Sequence, residues 1–379
     1  MSFSSSTLKS KKINIFSFFA GAGFLDFGFE KEGSYEVVYV NEYSQLFNQI
    51  YQYSRKKIGL QEPLLGHHVC GIENIDTHEL TKMVDEQKSK SLTGFIGGPP
   101  CPDFSVAGKN KGREGKNGQL SQTYVNLICR VCPDFFFFEN VKGLYRTCKH
   151  KKFFDELCLQ LNQNGYLLTH RILNALEYGV PQDRERLILI GVRQDLAVNM
   201  SKQFEDGWLT DFPWETSKKY SLNTIKKCEW PVVDELILNG DRPEPQGIIK
   251  DLTVQYWWEK NNVNIHPDQC MCFKPRSMHK FNTIKEGDVG QMSFKRLHRW
   301  RYAPTSAYGN NEVHLHPYEP RRISVAEALA IQSLPPEYEI PKQIPLSAAF
   351  KTIGNGVPFL LALNLAKTIK KYLSYGSEA

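Results

Sequence analysis

From Ile13 to Arg193, short runs rich in β-branched and aromatic residues alternate with stretches of helical periodicity, and this alternation constrains the fold more than any other feature. It is the pattern of a mostly parallel sheet covered by helices. Expected strands are 13–19, 36–40, 68–72, 93–97, 135–139, 169–173 and 187–192, with helices over 25–31, 44–54, 77–87, 120–131 and 151–164 between them. After Arg193 the rhythm stops. The next hundred or so residues hold Pro, Trp and charge in no steady period, as in a smaller irregular domain of loops and short strands. Order returns at 324–332 and at 357–372, where Leu361, Leu365, Ile369 and Tyr372 mark an amphipathic helix. The expected division is therefore 1–193, 194–320, and 321–379 returning to the first unit.

Composition narrows the class. With 379 residues, 41% hydrophobic and 23% charged, the chain has material for a large core. No apolar run reaches the ~18 residues of a membrane span, and the polar, basic start does not read as a secretory signal. No membrane association is expected, and the expected location is the cytoplasm, close to the cell's DNA. Nine scattered cysteines suit reduced thiols rather than a disulfide framework. The net charge of +6 is uneven: Met271 to Arg322 holds ten Lys/Arg against four Asp/Glu, interleaved with Phe294, His298, Trp300, Tyr302 and Tyr308. Such a segment suits a phosphate-backbone partner, although a solvated surface would have the same composition. His266, Cys270, Cys272 and His279 lie close together but fit no common zinc spacing, so no metal is expected.

Three segments could carry chemistry. The first run ends in FFAGAGF, placing Gly21 and Gly23 where a strand turns into a helix and backbone can approach a ligand closely. Nineteen residues after Gly23 stands Glu42, able to accept from both hydroxyls of a ribose, although a tight turn would also explain the glycines. The second is GGPPCPDFS, Gly97 to Ser105, which fixes Cys101 among prolines at the carboxyl end of a strand. DFFFFENV then ends in Glu139 and Asn140 on the same sheet edge, so a thiol and a carboxyl face one cleft. The third is YGVPQDRERLILIGVR, where alternation puts Arg184 and Arg186 on one face, ready for a phosphate, a polar substrate edge, or a surface salt-bridge ladder.

The ordered set FAGAG, NE, PPCPDFS, ENV, QDRER, RRISVAEALAIQSLP and IGNGVP resembles the motif series of DNA (cytosine-5-)-methyltransferases of the restriction–modification type. The resemblance implies an α/β, Rossmann-like S-adenosylmethionine-dependent methyltransferase fold with a smaller target-recognition domain. Cys101 is similar to the family's nucleophile and Glu139 to the group contacting the cytosine ring, while Arg184 and Arg186 match its arginine pair. Phe19, Gly21, Gly23, Glu42, Ile72, Pro99 and Asn355 match its cofactor pocket. The chain departs from the family pattern at Ser17 (usually Asp), Phe24 (usually Gly), Pro102 (usually Gln) and Gly71 (an acidic residue beside the adenine).

The implied reaction moves a methyl group from S-adenosylmethionine to carbon 5 of a base-flipped cytosine in double-stranded DNA through a covalent Cys101 adduct. That modification would protect DNA from a cognate restriction endonuclease acting on the same site without a stable complex, and a monomer suffices. A tRNA cytosine-5 methyltransferase would share fold and site, but the CFT tripeptide of that branch is absent. A silent DNA-binding relative would have no use for the thiol. The recognition sequence is not legible in the string.

Overall fold

The computed structural model describes residues 11–100, 116–275, 277–291, 293–305, 308 and 313–374. Cys101 and Pro102 lie outside them.

The elements follow the expected alternation. In chain order they are β1 (Ile13–Phe18), α1 (Phe24–Glu32), β2 (Tyr35–Asn41), α2 (Gln45–Lys57), β3 (His67–His68), α3 (Thr77–Lys88), β4 (Thr93–Gly97), α4 (Lys116–Val131) and β5 (Phe135–Val141). Next come α5 (Gly143–Arg146), α6 (Cys148–Gln163), β6 (Tyr166–Asn174), β7 (Glu185–Arg193), α7 (Gln194–Asn199), β8 (Phe204–Glu205), β9 (Trp208–Leu209) and α8 (Leu222–Lys227). Beyond these lie α9 (Val254–Lys260), α10 (His279–Thr283), β10 (Lys295–Arg296), β11 (His314–Leu315), α11 (Val325–Ile331), α12 (Leu346–Asn355) and α13 (Phe359–Ser374).

Among the described residues the main sheet has nine strands in the order β3-β2-β1-β4-β5-β7-β6-β9-β8. The chain winds outward from β1 in one direction to β2 and β3, and in the other to β4 and β5. The carboxyl ends of β1 and β4 therefore flank the crevice where an open α/β sheet receives ligands. The sheet is an α/β, mostly parallel one, as expected of a Rossmann-like methyltransferase, but β7 runs antiparallel to both β5 and β6. The reason is the connection: from Asn174 to Glu185 the chain makes only a 3-10 turn closed by Gly179, too short for a parallel crossover.

Two expectations are corrected. The strand expected over 68–72 shrinks to His67–His68, because the Asn41 side-chain amide takes the carbonyls of His68 and Cys70 and so replaces a ladder partner. The sheet also does not end at Arg193, since β9 pairs with β6 and β8 with β9.

The four consecutive phenylalanines of β5 show how the layers are built. Phe135 and Phe137 join the core cluster on one sheet face and Phe136 and Phe138 the cluster on the other, the alternation required of a strand buried on both sides. Neighbouring strands make room with glycine: a Cβ on Gly94 would stand 2.2 Å from the Phe135 ring, and one on Gly191 2.1 Å from Phe136.

The C-terminal helices complete one layer. The stretch Leu346–Ser374 is long and apolar enough to cross a membrane by composition. Its apolar residues Leu361, Leu365, Ile369 and Tyr372 are instead buried in the core, where α13 packs on α1. The approach is so close that a Cβ on Gly28 would meet Ala362 at 2.4 Å, and the Tyr35 hydroxyl donates to the Ala366 carbonyl at 2.9 Å.

Candidate active site

The glycine loop after β1 is held by Glu42, Tyr51 and Tyr338. Phe19 and Gly21 take left-handed backbone (φ 53° and 58°), and Gly23, with φ 85°, caps α1. Gly21 N–H donates to Glu42 Oε2 at 2.8 Å, and Ser44 N–H to Oε1 at 2.7 Å. Each carboxylate oxygen of Glu42 thus accepts one backbone hydrogen bond and keeps a second lone pair for another donor. Burial pushes the Glu42 carboxyl above its ordinary range, opposed by these two N–H groups. From the far side, Tyr338 donates to the Ala22 carbonyl at 2.9 Å.

The loop leaves space for a ligand at one glycine and not at the next. Among the described residues, a Cβ on Gly21 would meet nothing within 4 Å, whereas one on Gly23 would press on the Tyr51 ring at 2.7 Å. Gly21 therefore opens onto the crevice and Gly23 is packed from below. Open backbone, the half-buried Phe19 ring and the paired acceptors of Glu42 fit a nucleoside with a free ribose diol.

The other expected pocket residues are placed as follows. Pro99 is buried and its carbonyl receives Asn140 Nδ2 at 3.4 Å. Asn355 is exposed at the end of α12, next to Gly356, whose Cβ would fall 2.2 Å from the Phe24 ring at the start of α1. Phe24, the residue that departs from a second glycine, thus fills the space that Gly356 leaves open. Ile72 stands at the start of the 3-10 turn after β3, with its side chain 4% exposed and packed in the core with Val38, Tyr39 and Leu80.

Glu139 lies near the carboxyl end of β5 with its Oε1 2.7 Å from Arg186 Nε, and both side chains are nearly buried. Its Oε2 faces Gly98, where a Cβ would stand 2.8 Å away, so glycine is needed for the carboxyl to reach the turn that leads to Cys101. The close partner of this carboxyl is a guanidinium, because β7 brings Arg186 opposite Val141.

Arg184 is placed in the interior rather than at the surface. It is fully buried, donating through Nη2 to the carbonyls of Gly354 at 2.9 Å and Gly356 at 3.0 Å, and through Nη1 to Gln182 at 3.4 Å. Burial and the adjacent Arg186 push its pKa well below the usual guanidinium range. It ties the QDRER segment to IGNGVP instead of gripping a phosphate at the surface. Motif reading also missed Tyr51 and Tyr338, which support the glycine loop from distant positions.

The described residues thus place an open glycine loop, a ribose-competent carboxylate and a Glu–Arg pair at the carboxyl edge of one sheet. The model of C-5 cytosine-specific DNA methylases matches residues 13–371. The chain is 51% identical to the Type II methyltransferase M.NmeDI of Neisseria meningitidis serogroup C over 96% of this chain and 84% of that protein. It is 30% identical to the Type II methyltransferase M.MthTI of Methanothermobacter thermautotrophicus, covering 95% and 98%. Among solved structures it is similar in fold to an E. coli prophage-encoded protein described as a DNA modification methyltransferase, with a TM-score of 0.66 at 20% identity, covering 96% and 99%. The chain belongs to the C-5 cytosine-specific DNA methylase family and is a DNA (cytosine-5-)-methyltransferase.

Proposed function

We propose that the chain transfers a methyl group from S-adenosylmethionine to carbon 5 of one cytosine in a specific double-stranded DNA site and so protects that site from a cognate restriction endonuclease. The observation that carries this reading is the convergence of the β1 glycine loop and the β4 turn at the sheet's switch point, with Glu139 aimed at the turn preceding Cys101. Protection fits the resemblance to M.NmeDI, a Type II methyltransferase.

Phe19, Gly21, Gly23, Glu42 and Pro99 would hold the cofactor, with Asn355 beside them. When bound, it supplies a methyl group made electrophilic by an adjacent sulfonium. Carbon 5 of cytosine is too electron-poor to take that methyl unaided, so the Cys101 thiolate adds at carbon 6 and pushes charge into the ring. Glu139, oriented by Arg186 through the 2.7 Å contact, holds a proton or hydrogen bond at ring nitrogen 3. After carbon 5 is methylated, loss of its proton to a base or water breaks the carbon–sulfur bond and frees Cys101. The ring face is inaccessible in a duplex, so the base is flipped out at a cost of a few kcal/mol, offset by phosphate contacts.

Target recognition is assigned to the segment between the last strand of the main sheet and Pro320, which contains the basic stretch. The catalytic unit comprises the sheet together with 321–379. The enzyme would work as a monomer in the cytoplasm, on the DNA, with no stable complex with the endonuclease.

Incubation with radiolabelled S-adenosylmethionine tests the reading. Label should enter cytosine-containing duplex DNA, and Cys101→Ala should reduce it to background while DNA binding persists. Label entering tRNA and not DNA would overturn the substrate. A target cytosine carrying fluorine at carbon 5 should trap a denaturation-resistant adduct, and active enzyme that forms none would overturn the covalent route.

A further inference from the structure

Beneath the glycine loop lies a buried carboxyl that the reaction described above does not use. Asp26, on α1, is fully buried. Ser17, the last but one residue of β1, donates to its Oδ1 at 2.8 Å, and Tyr51 of α2 donates to its Oδ2 at 2.8 Å. These two donors bracket the loop: Ser17 lies two residues before Phe19, and the Tyr51 ring is the surface on which Gly23 rests. Arg55 reaches the Tyr51 hydroxyl at 3.4 Å and pairs with Glu30, one turn along α1, at 2.5 and 2.8 Å. The Tyr124 hydroxyl of α4 also faces this carboxyl electrostatically, and Glu42 holds the opposite side of the loop.

We propose that Asp26 is a positioning residue for the cofactor loop, whose ionised carboxylate pins Ser17 and Tyr51 and presents buried negative charge to the cationic sulfonium side of S-adenosylmethionine. The inference rests on the reading that this loop holds that cofactor. The chain lacks the acidic residue expected at position 17, and Asp26 supplies a carboxylate to the same buried spot from the helix. Burial pushes the Asp26 carboxyl up to about 7, opposed by the hydrogen bonds from Ser17 and Tyr51, with Glu30 raising and Arg55 lowering it further. Near neutrality the group is thus close to half ionised. The neutral acid must turn one oxygen into a donor, and one of the two hydroxyls must reorient.

By reciprocity, a cation that binds better to the ionised form must lower the proton affinity of Asp26 and release a proton. The folded carboxyl lies above its unfolded value, so its contribution to stability is fully present below the unfolded pKa and is lost as pH rises through about 7. Asp26→Asn should therefore raise the melting temperature at pH 8 while weakening the cofactor, a combination that a merely structural role would not give.

Isothermal titration of the full chain with S-adenosylmethionine, from pH 5.5 to 9 in buffers of different ionisation enthalpy, tests this. The unsubstituted enzyme should bind several-fold more tightly at pH 8 than at pH 6 and release a fraction of a proton at pH 7. Asp26→Asn should lose this part of the pH dependence and of the proton release, leaving what Glu42 contributes. The double variant Ser17→Asp with Asp26→Ser, which returns the carboxylate from strand β1 instead of helix α1, should recover affinity. Identical pH profiles and proton release in the unsubstituted enzyme and Asp26→Asn would overturn the inference. Absence of binding by the unsubstituted enzyme at every pH would instead overturn the cofactor reading itself.

Discussion

The sheet half of the molecule and the irregular segment between β9 and α11 solve the same problem by different means. In the sheet, backbone groups pair in ladders and the two faces bury aromatic and aliphatic side chains, as in the Phe135–Phe138 run. In the irregular segment few ladders exist, so buried cations take their place. Arg296, fully buried, donates to the carbonyls of Ile284 at 2.7 Å and Glu319 at 3.1 Å, and also to Phe281 and His316. Arg299 spans Glu286 and the Gly240 carbonyl. Three histidines act as local caps: Nδ1 of His266, His298 and His316 accepts the N–H of Asp268, Trp300 and Glu319, each at 3.0 Å. A buried backbone needs partners wherever it goes, and where no strand supplies them side chains must. That leaves this segment dependent on particular charges in a way the sheet is not.

The largest expected effect tests the chemistry of the sheet half. Glu139→Gln should lower kcat by roughly 10²–10⁴-fold while S-adenosylmethionine affinity, measured by calorimetry, stays within about twofold. A loss confined to cofactor binding would move Glu139 out of its assigned role. Next comes the irregular segment: Glu286 is fully buried against Arg299, so Glu286→Ala should cost ~3–5 kcal/mol locally. Hydrogen exchange should then accelerate across 230–300 and leave β1, β4 and β5 protected; uniform acceleration would erase the contrast. Gly356→Ala, which drives a methyl onto the Phe24 ring, should cost ~1–3 kcal/mol and weaken the cofactor without altering exchange in 230–300.

The smallest effect is the response to acid, and its sign differs between the halves. Burial lowers His298 and, further, His316, so each contributes stability that is present above about 6.5 and lost as pH falls through its folded value. Asp26, raised to about 7, contributes in the opposite sense, its part growing as pH falls from 7 toward 4. Each group is worth ~1.4 kcal/mol per pH unit within its window. Limited proteolysis at pH 5.5 should therefore cut first within 230–320, and cleavage beginning in the sheet half would reverse the comparison.

How much could be read from the string follows the same division. Strand alternation, the glycine loop and the placement of Glu42 and Glu139 on one edge were legible because they depend on local periodicity and on where strands end. The antiparallel return of β7 was not read, although the short 175–184 connection held the clue. The burial of Arg184 was beyond reach, because it depends on contacts with IGNGVP, a segment far along the chain. The Asp26–Ser17–Tyr51 cluster was equally hidden, since spacing gives no sign that three polar groups on different elements meet under a loop. In the irregular segment nothing periodic exists to read, and its order comes from pairwise charges.

The seating of α13 on α1 has a consequence for synthesis. The helix that leads out of the glycine loop is covered by Ala362 and its neighbours, which lie more than three hundred residues downstream. A nascent chain that has emerged from the ribosome only through α11 has Gly28 facing water and no lid over α1. The crevice beside α1 therefore matures late in translation, and products truncated after α11 should modify no DNA.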